Sequence, residues 1–96
     1  MNIHFRDVQT GSVEARAVIE IAEGVFLNEV TILNLEGEIV VEFPMKSFVG
    51  KSRRTHYIEI VTFEDNDKRT LWELEIKNAY REWRKTNQKV LVYEDK

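Results

Sequence analysis

A chain of 96 residues, 43% hydrophobic and 32% charged, has the balance of one globular domain, residues 1–96. It holds no cysteine, which excludes disulfides and thiolate metal sites, and no apolar run approaches the ~20 residues that a membrane helix needs. The net charge of −3 argues weakly against a polyanionic partner. A domain this small buries only about 60–65% of its unfolded surface, so a second copy of the chain is the expected support. Met1 to Asp7 carries a His, an Arg and an Asp and no apolar stretch, so it does not read as a secretory leader and a cytoplasmic location is expected.

Ile3 to Val8 reads as a first strand, joined through Thr10-Gly11-Ser12 to the clearest one. There Val13, Ala15, Ala17, Ile19 and Ile21 alternate with Glu14, Arg16, Val18 and Glu20, the period of two of a half-buried strand. Glu23-Gly24 and Glu36-Gly37 separate the β-rich runs Val25–Leu35 and Glu38–Phe43. Glycine at the second place of a two-residue loop accepts positive φ without steric cost, so both dipeptides predict tight hairpins, and two in succession predict an antiparallel meander. Pro44 cannot donate to a ladder and should end its strand at Phe43. The segment Lys46–His56 (KSFVGKSRRTH) reads as a loop of roughly ten residues. A strand pattern resumes over His56–Phe63, with Ile58 and Ile60 opposed to Tyr57, Val61 and Phe63.

Asp65, Asn66 or Asp67 suits the cap of a helix over about Lys68–Lys85. Trp72, Ile76, Ala79, Tyr80 and Trp83 fall within a stripe about 100° wide, the face that packs on the sheet. Thr86-Asn87-Gln88 breaks the helix, and Lys89–Tyr93 is a short β-prone run able to pair with a sheet edge. The fold class is α+β: an antiparallel meander of four or five strands against one long helix in the C-terminal half, with a β-prone tail, in a homodimer.

Few residues carry chemistry. Gly50-Lys51-Ser52 echoes the end of a phosphate-binding loop, but Met45 stands where the first glycine is needed and no strand-to-helix step surrounds it. His4 and His56 have no ligand or carboxylate cluster around them, and Ser12, Ser47 and Ser52 have no neighbouring base. No catalytic set, metal site, cofactor or small-molecule substrate is expected. The segment Lys46–His56 is different: Lys46, Lys51, Arg53 and Arg54 give it +4 and leave −7 on the other 85 residues. Guanidinium forks match phosphates bidentately, lysine supplies point charge, and Phe48 could stack on a base. A solubilising loop would have the same composition. On the helix, Lys77, Arg81, Arg84 and Lys85 lie opposite the apolar stripe as a basic outer face, with Lys77 and Arg81 repelling and Glu73 offsetting that repulsion. An anionic partner, nucleic acid, is therefore expected, with loop and helix together neutralising several phosphates if they share a side of the molecule. A protein-interaction module without that ligand is the alternative, motivated by the net acidity and the β-prone tail.

The order of these features carries a resemblance. Phe26-Leu27-Asn28-Glu29-Val30-Thr31-Ile32-Leu33 forms a strand, Phe43-Pro44-Met45-Lys46 a proline step, Gly50 and Arg53-Arg54 the basic loop, and Ala79-Tyr80 the late part of the helix. The run Ala15–Trp83 thereby resembles the SpoVG (septation protein) family of small bacterial regulators, over about three-quarters of the chain. The resemblance implies a homodimer with an antiparallel sheet and one helix per subunit. It also implies binding to DNA, and in some members RNA, in regulation linked to septation or sporulation. One departure is the stretch Ile58–Phe63, which lacks the proline that commonly follows the family's loop; a longer strand there, and a different helix start, are expected.

Overall fold

Two glycine turns shape the first half of the molecule. In the computed structural model, which describes residues 1–87, Glu36 and Gly37 both take positive φ (54° and 88°). That primed geometry follows the right-handed twist of the strands it joins, and the Gly37 N–H donates to Asn34 Oδ1 at 2.8 Å. The strands are β1 (Asn2–Thr10), β2 (Val13–Ala22), β3 (Val25–Leu35) and β4 (Glu38–Glu42), and they form one antiparallel sheet in the order β1-β2-β3-β4. Phe5 pairs with Ala17, Ala17 with Val30, and Ile32 with Val41. The register slips between Ala17 and Ile19, where Glu29 on β3 has φ 66°, a bulge that adds twist.

The helix α1 (Asn66–Thr86) lies across this sheet, closest to β1 and β4. Its first turn begins two residues before the expected start because Asp65 is the cap: its carboxylate accepts from the Lys68 N–H at 2.8 Å. The expected stripe is the buried one. Ile76 and Tyr80 meet Ala15, Ala17, Ile19, Val30, Ile32, Val41 and Phe43, with Trp72 and Trp83 partly buried at its ends. Burying a side chain such as Ile19, Ile32 or Ile76 contributes about 1.5–3 kcal/mol each. Edge-to-face rings close both ends of the core: Phe5 against Tyr80 (5.7 Å) near the helix C-terminus, and Phe63 against Phe43 (5.1 Å) and Trp72 (5.7 Å) near its N-terminus.

The segment after Pro44 is not a loop. β5 (Met45–Val49) and β6 (Thr55–Glu59) pair as a second, two-stranded sheet, and only residues 50–54 connect them. Pro44 does end β4, at Glu42, yet its carbonyl accepts from the Ile60 N–H at 3.2 Å and starts the new ladder at once. The strand expected over His56–Phe63 stops at Glu59. Lacking the proline, this stretch is shorter than expected rather than longer, because the chain turns inward so that Phe63 can reach Phe43 and Trp72. Every residue of β5 and β6 is exposed. The radius of gyration is 16.1 Å, with a long axis of 60 Å. A compact chain of this length has about 12–13 Å, so the ribbon projects from the body. The run Lys89–Tyr93 lies outside the described residues.

Candidate nucleic-acid interface

The tip of the ribbon is a tight turn. The Arg53 N–H donates to the Gly50 carbonyl at 3.0 Å, the Gly50 N–H donates to the Arg54 carbonyl at 3.1 Å, and Arg53 takes φ 60°. Gly50 is required for a spatial reason: a Cβ there would stand 2.8 Å from the His56 imidazole. That ring stacks on Phe48 (5.2 Å, 22°). Cross-strand partners share a face, so the register puts Lys46, Phe48, His56 and Ile58 on one side of the ribbon and Met45, Ser47, Val49, Thr55, Tyr57 and Glu59 on the other. The first side joins a cation to a stacked aromatic pair. Sequence reading singled out Phe48 but missed its pairing with His56, because the pairing needs the hairpin register; Gly50, six residues from His56, was the available signal.

Lys51, Arg53 and Arg54 are exposed at the tip and Lys46 on β5, and no carboxylate among the described residues lies within 4 Å of any of them. Three unpaired cations within four residues form a concentrated positive end suited to phosphate oxygens.

The helix cations divide. Arg84 is not on an outer face. Its Nη1 and Nη2 donate to the two Asp7 oxygens at 3.3 and 3.1 Å, its Nε donates to Tyr80 Oη at 3.1 Å, and its guanidinium lies 4.8 Å over the Trp83 ring. The Asp7 hydrogen bond, outweighing partial burial, raises the Arg84 pKa above its ordinary value. Arg84 stands only about 40° round the helix from Tyr80, so it borders the buried stripe and clamps α1 to β1. Lys85 pairs with Glu82 at 3.0 Å, Arg81 donates to Asn78 Oδ1 at 3.3 Å, and Lys77 is half-buried. Glu73 turns to Arg69 (3.1 Å) rather than to Lys77.

Ribbon and helix do not form one patch. No residue of α1 has its Cα within 8 Å of one in β5 or β6. The joint between ribbon and body is Arg69, whose Nη1 lies 3.5 Å from Glu59 Oε1 and whose guanidinium covers the Phe43 and Phe63 rings at 5.5 and 5.8 Å. From that joint the tip lies roughly 17 Å along β6, and Lys77 to Lys85 lie roughly 12–24 Å along α1. Arg69 was not among the expected residues, since its role depends on a strand end that the sequence does not announce.

A polar cleft of about 250 Å³ lies between the ribbon and the open face of the sheet, lined by Arg16, Glu29, Thr31, Glu42, Ser47 and Tyr57. Its Arg16 is held by Thr31 Oγ1 at 2.7 Å. Among the described residues no three His, Asp or Glu side chains group as metal ligands, and no helix is long and apolar enough to cross a membrane. Gly50-Lys51-Ser52 sits in the ribbon turn and does not open a helix. No family model matches the chain, and no curated protein or solved structure is significantly similar to it.

Proposed function

We propose that this chain is a small nucleic-acid-binding regulatory protein that works as a homodimer in the cytoplasm, in the manner of the SpoVG family and in a septation- or sporulation-type role. The observation that carries the reading is the ribbon tip: Lys51, Arg53 and Arg54 project from an acidic body with no carboxylate among the described residues to neutralise them. Lys46 continues that charge along the face that holds Phe48 and His56. Charge on an arm, beside an aromatic pair, favours backbone contact with DNA or RNA over a purely solubilising role. Lys77, Arg81 and Lys85 are then a secondary contact, and Arg84 belongs to the scaffold. No cofactor or catalytic step is assigned.

The test is retention of labelled duplex DNA, single-stranded DNA and RNA at 50 mM salt, followed by titration to 200 mM. Binding to at least one of them, weakening linearly in log K against log salt, is expected. Failure to retain any of the three sinks the reading. The alternative, a protein-interaction module, is favoured by a different observation: Val49 is 69% and Tyr57 67% exposed on the ribbon.

A further inference from the structure

The ribbon is the least self-sufficient element of the molecule. A two-stranded hairpin is marginal in water, and this one buries no side chain of either strand. Met45, Phe48, Val49, Tyr57, Ile58 and Ile60 are each between 44% and 69% exposed. They are divided between its two faces, Phe48 and Ile58 on one and Met45, Val49 and Tyr57 on the other, so both faces carry exposed apolar side chains.

Its two edges differ. The β5 edge begins at Pro44 and carries Lys46, residues that discourage strand addition. The β6 edge, from Thr55 to Ile60, has neither proline, lysine nor glycine and is rich in β-formers. The hydrogen-bond phase is fixed by two contacts, Ile60 N–H to Pro44 O and Gly50 N–H to Arg54 O. Antiparallel ladders alternate, so Ile58 and His56 bond inward to β5 while Thr55, Tyr57 and Glu59 direct their N–H and C=O groups outward.

From this we infer that the β6 edge pairs antiparallel with the β6 edge of a second copy about a two-fold axis at Tyr57, making a continuous four-stranded sheet. The edge is complementary to itself. Tyr57 meets the partner's Tyr57, Thr55 meets the partner's Glu59, and His56 lies opposite the partner's Ile58, with no like charges opposed. About six main-chain hydrogen bonds form across the axis. The inference rests on the homodimer part of the proposed function and gives that dimer its surface. It also places the basic tips at opposite ends of the new sheet. Arg54 of the two copies stand roughly 20 Å apart along the strands and the tip cations roughly 30 Å, close to the ~34 Å turn that separates successive major grooves on one side of a duplex.

The chain has no cysteine, so a single introduced one reports its own neighbour. In a hydrogen-bonded antiparallel pair the Cα atoms lie about 5.5 Å apart, within disulfide range. Tyr57→Cys is expected to form a cross-linked dimer under mild oxidation, while Glu36→Cys in the β3–β4 turn and Ser47→Cys on the β5 edge stay uncross-linked. Unmodified protein is expected to be dimeric by light scattering at micromolar concentration. Tyr57→Pro removes an outward N–H without touching the β5–β6 ladder and should raise the dimer dissociation constant at least about tenfold. A monomeric wild type, or cross-linking through Ser47→Cys in place of Tyr57→Cys, overturns the inference. A Tyr57-linked dimer that binds no nucleic acid keeps the inference and overturns the functional reading. A monomer that retards DNA does the reverse.

Discussion

Replacing Arg53 and Arg54 by alanine is the sharpest test of the tip. Each copy offers four cations on the ribbon, Lys46, Lys51, Arg53 and Arg54, none of them paired with a carboxylate among the described residues. If each neutralises one phosphate of a duplex, log K falls with log salt at a slope of about −3.6 per copy. Raising salt from 50 to 200 mM then weakens binding by about 150-fold per copy. Removing two cations halves the slope to about −1.8 and the loss to about twelvefold. No ion pair among the described residues is deleted, and alanine meets the same positive φ that Arg53 already adopts, so the fold is expected to stay intact. Fluorescence anisotropy of a labelled duplex at five salt concentrations, alongside thermal unfolding, measures both quantities. An unchanged slope in a folded double variant refutes the assignment of the tip. A matched pair of lysine substitutions should keep the slope and lose only the bidentate part of the affinity.

Three further outcomes follow from the packing. Arg84→Ala removes the clamp between α1 and β1 and should cost about 1–2 kcal/mol in urea unfolding, a loss that substitution of a helix-surface cation such as Arg81 does not reproduce. The Arg84 pKa is raised by its hydrogen bond to Asp7, so its contribution is fully present below the ordinary arginine value and lost only as pH rises through the raised one; the difference between wild type and Arg84→Ala should be constant from pH 6 to 10. Ile76→Ala empties a fully buried position between helix and sheet and should cost about 2–5 kcal/mol, a large part of the stability of so small a domain. Gly50→Ala brings a Cβ to 2.8 Å from the His56 ring, so the imidazole must swing off Phe48. Loss of the ring-current shifts between Phe48 and His56, with little change in unfolding midpoint, is the expected signature, and unshifted resonances would show that the ring need not move.

The four-stranded meander and the helix were legible because each buries one face: Ala15, Ala17 and Ile19 recur at a period of two, and Trp72, Ile76, Tyr80 and Trp83 lie on one side of a 3.6-residue turn. The first strand of the ribbon, β5, was not legible for the same reason reversed, while β6, but for Thr55, fell within the strand expected over His56–Phe63. With both faces of β5 and β6 in solvent, Met45, Phe48 and Val49 obey no alternation, and the charges of Lys46 and Lys51 look like a loop. The tip residues Lys51, Arg53 and Arg54 could be named without the ribbon, since charge needs no register. The Phe48–His56 stack and the Arg69 joint could not, because both are made by residues brought together across strands or between a strand end and the helix. Arg84 was misplaced by treating the helix as two halves, apolar and basic, when a long side chain at the border is free to fold back onto Tyr80 and Trp83 and reach Asp7.

The separation of sign along the chain becomes intelligible once the ribbon is a projecting arm. A net charge of −3 should repel a polyanion, but charge acts over a screening length, about 8 Å at 0.15 M salt and about 30 Å at 0.01 M. The tip stands roughly 17 Å from the joint, where Glu64, Asp65 and Asp67 cluster at the start of α1. At physiological salt the acids of its own copy lie about two screening lengths away, and a phosphate at the tip of a single copy meets the cations alone. At 10 mM they lie within one, and the body pushes back. Binding that strengthens linearly as salt falls to about 100 mM should therefore flatten below about 20 mM. Glu64→Gln with Asp67→Asn, which leaves the Asp65 cap in place, should restore the straight line without changing its slope above 100 mM. A plot that is straight to 10 mM in the unmodified protein would mean that the acids do not face the ligand at all, and that the arm approaches nucleic acid with the body turned away or with those acids already covered by a partner.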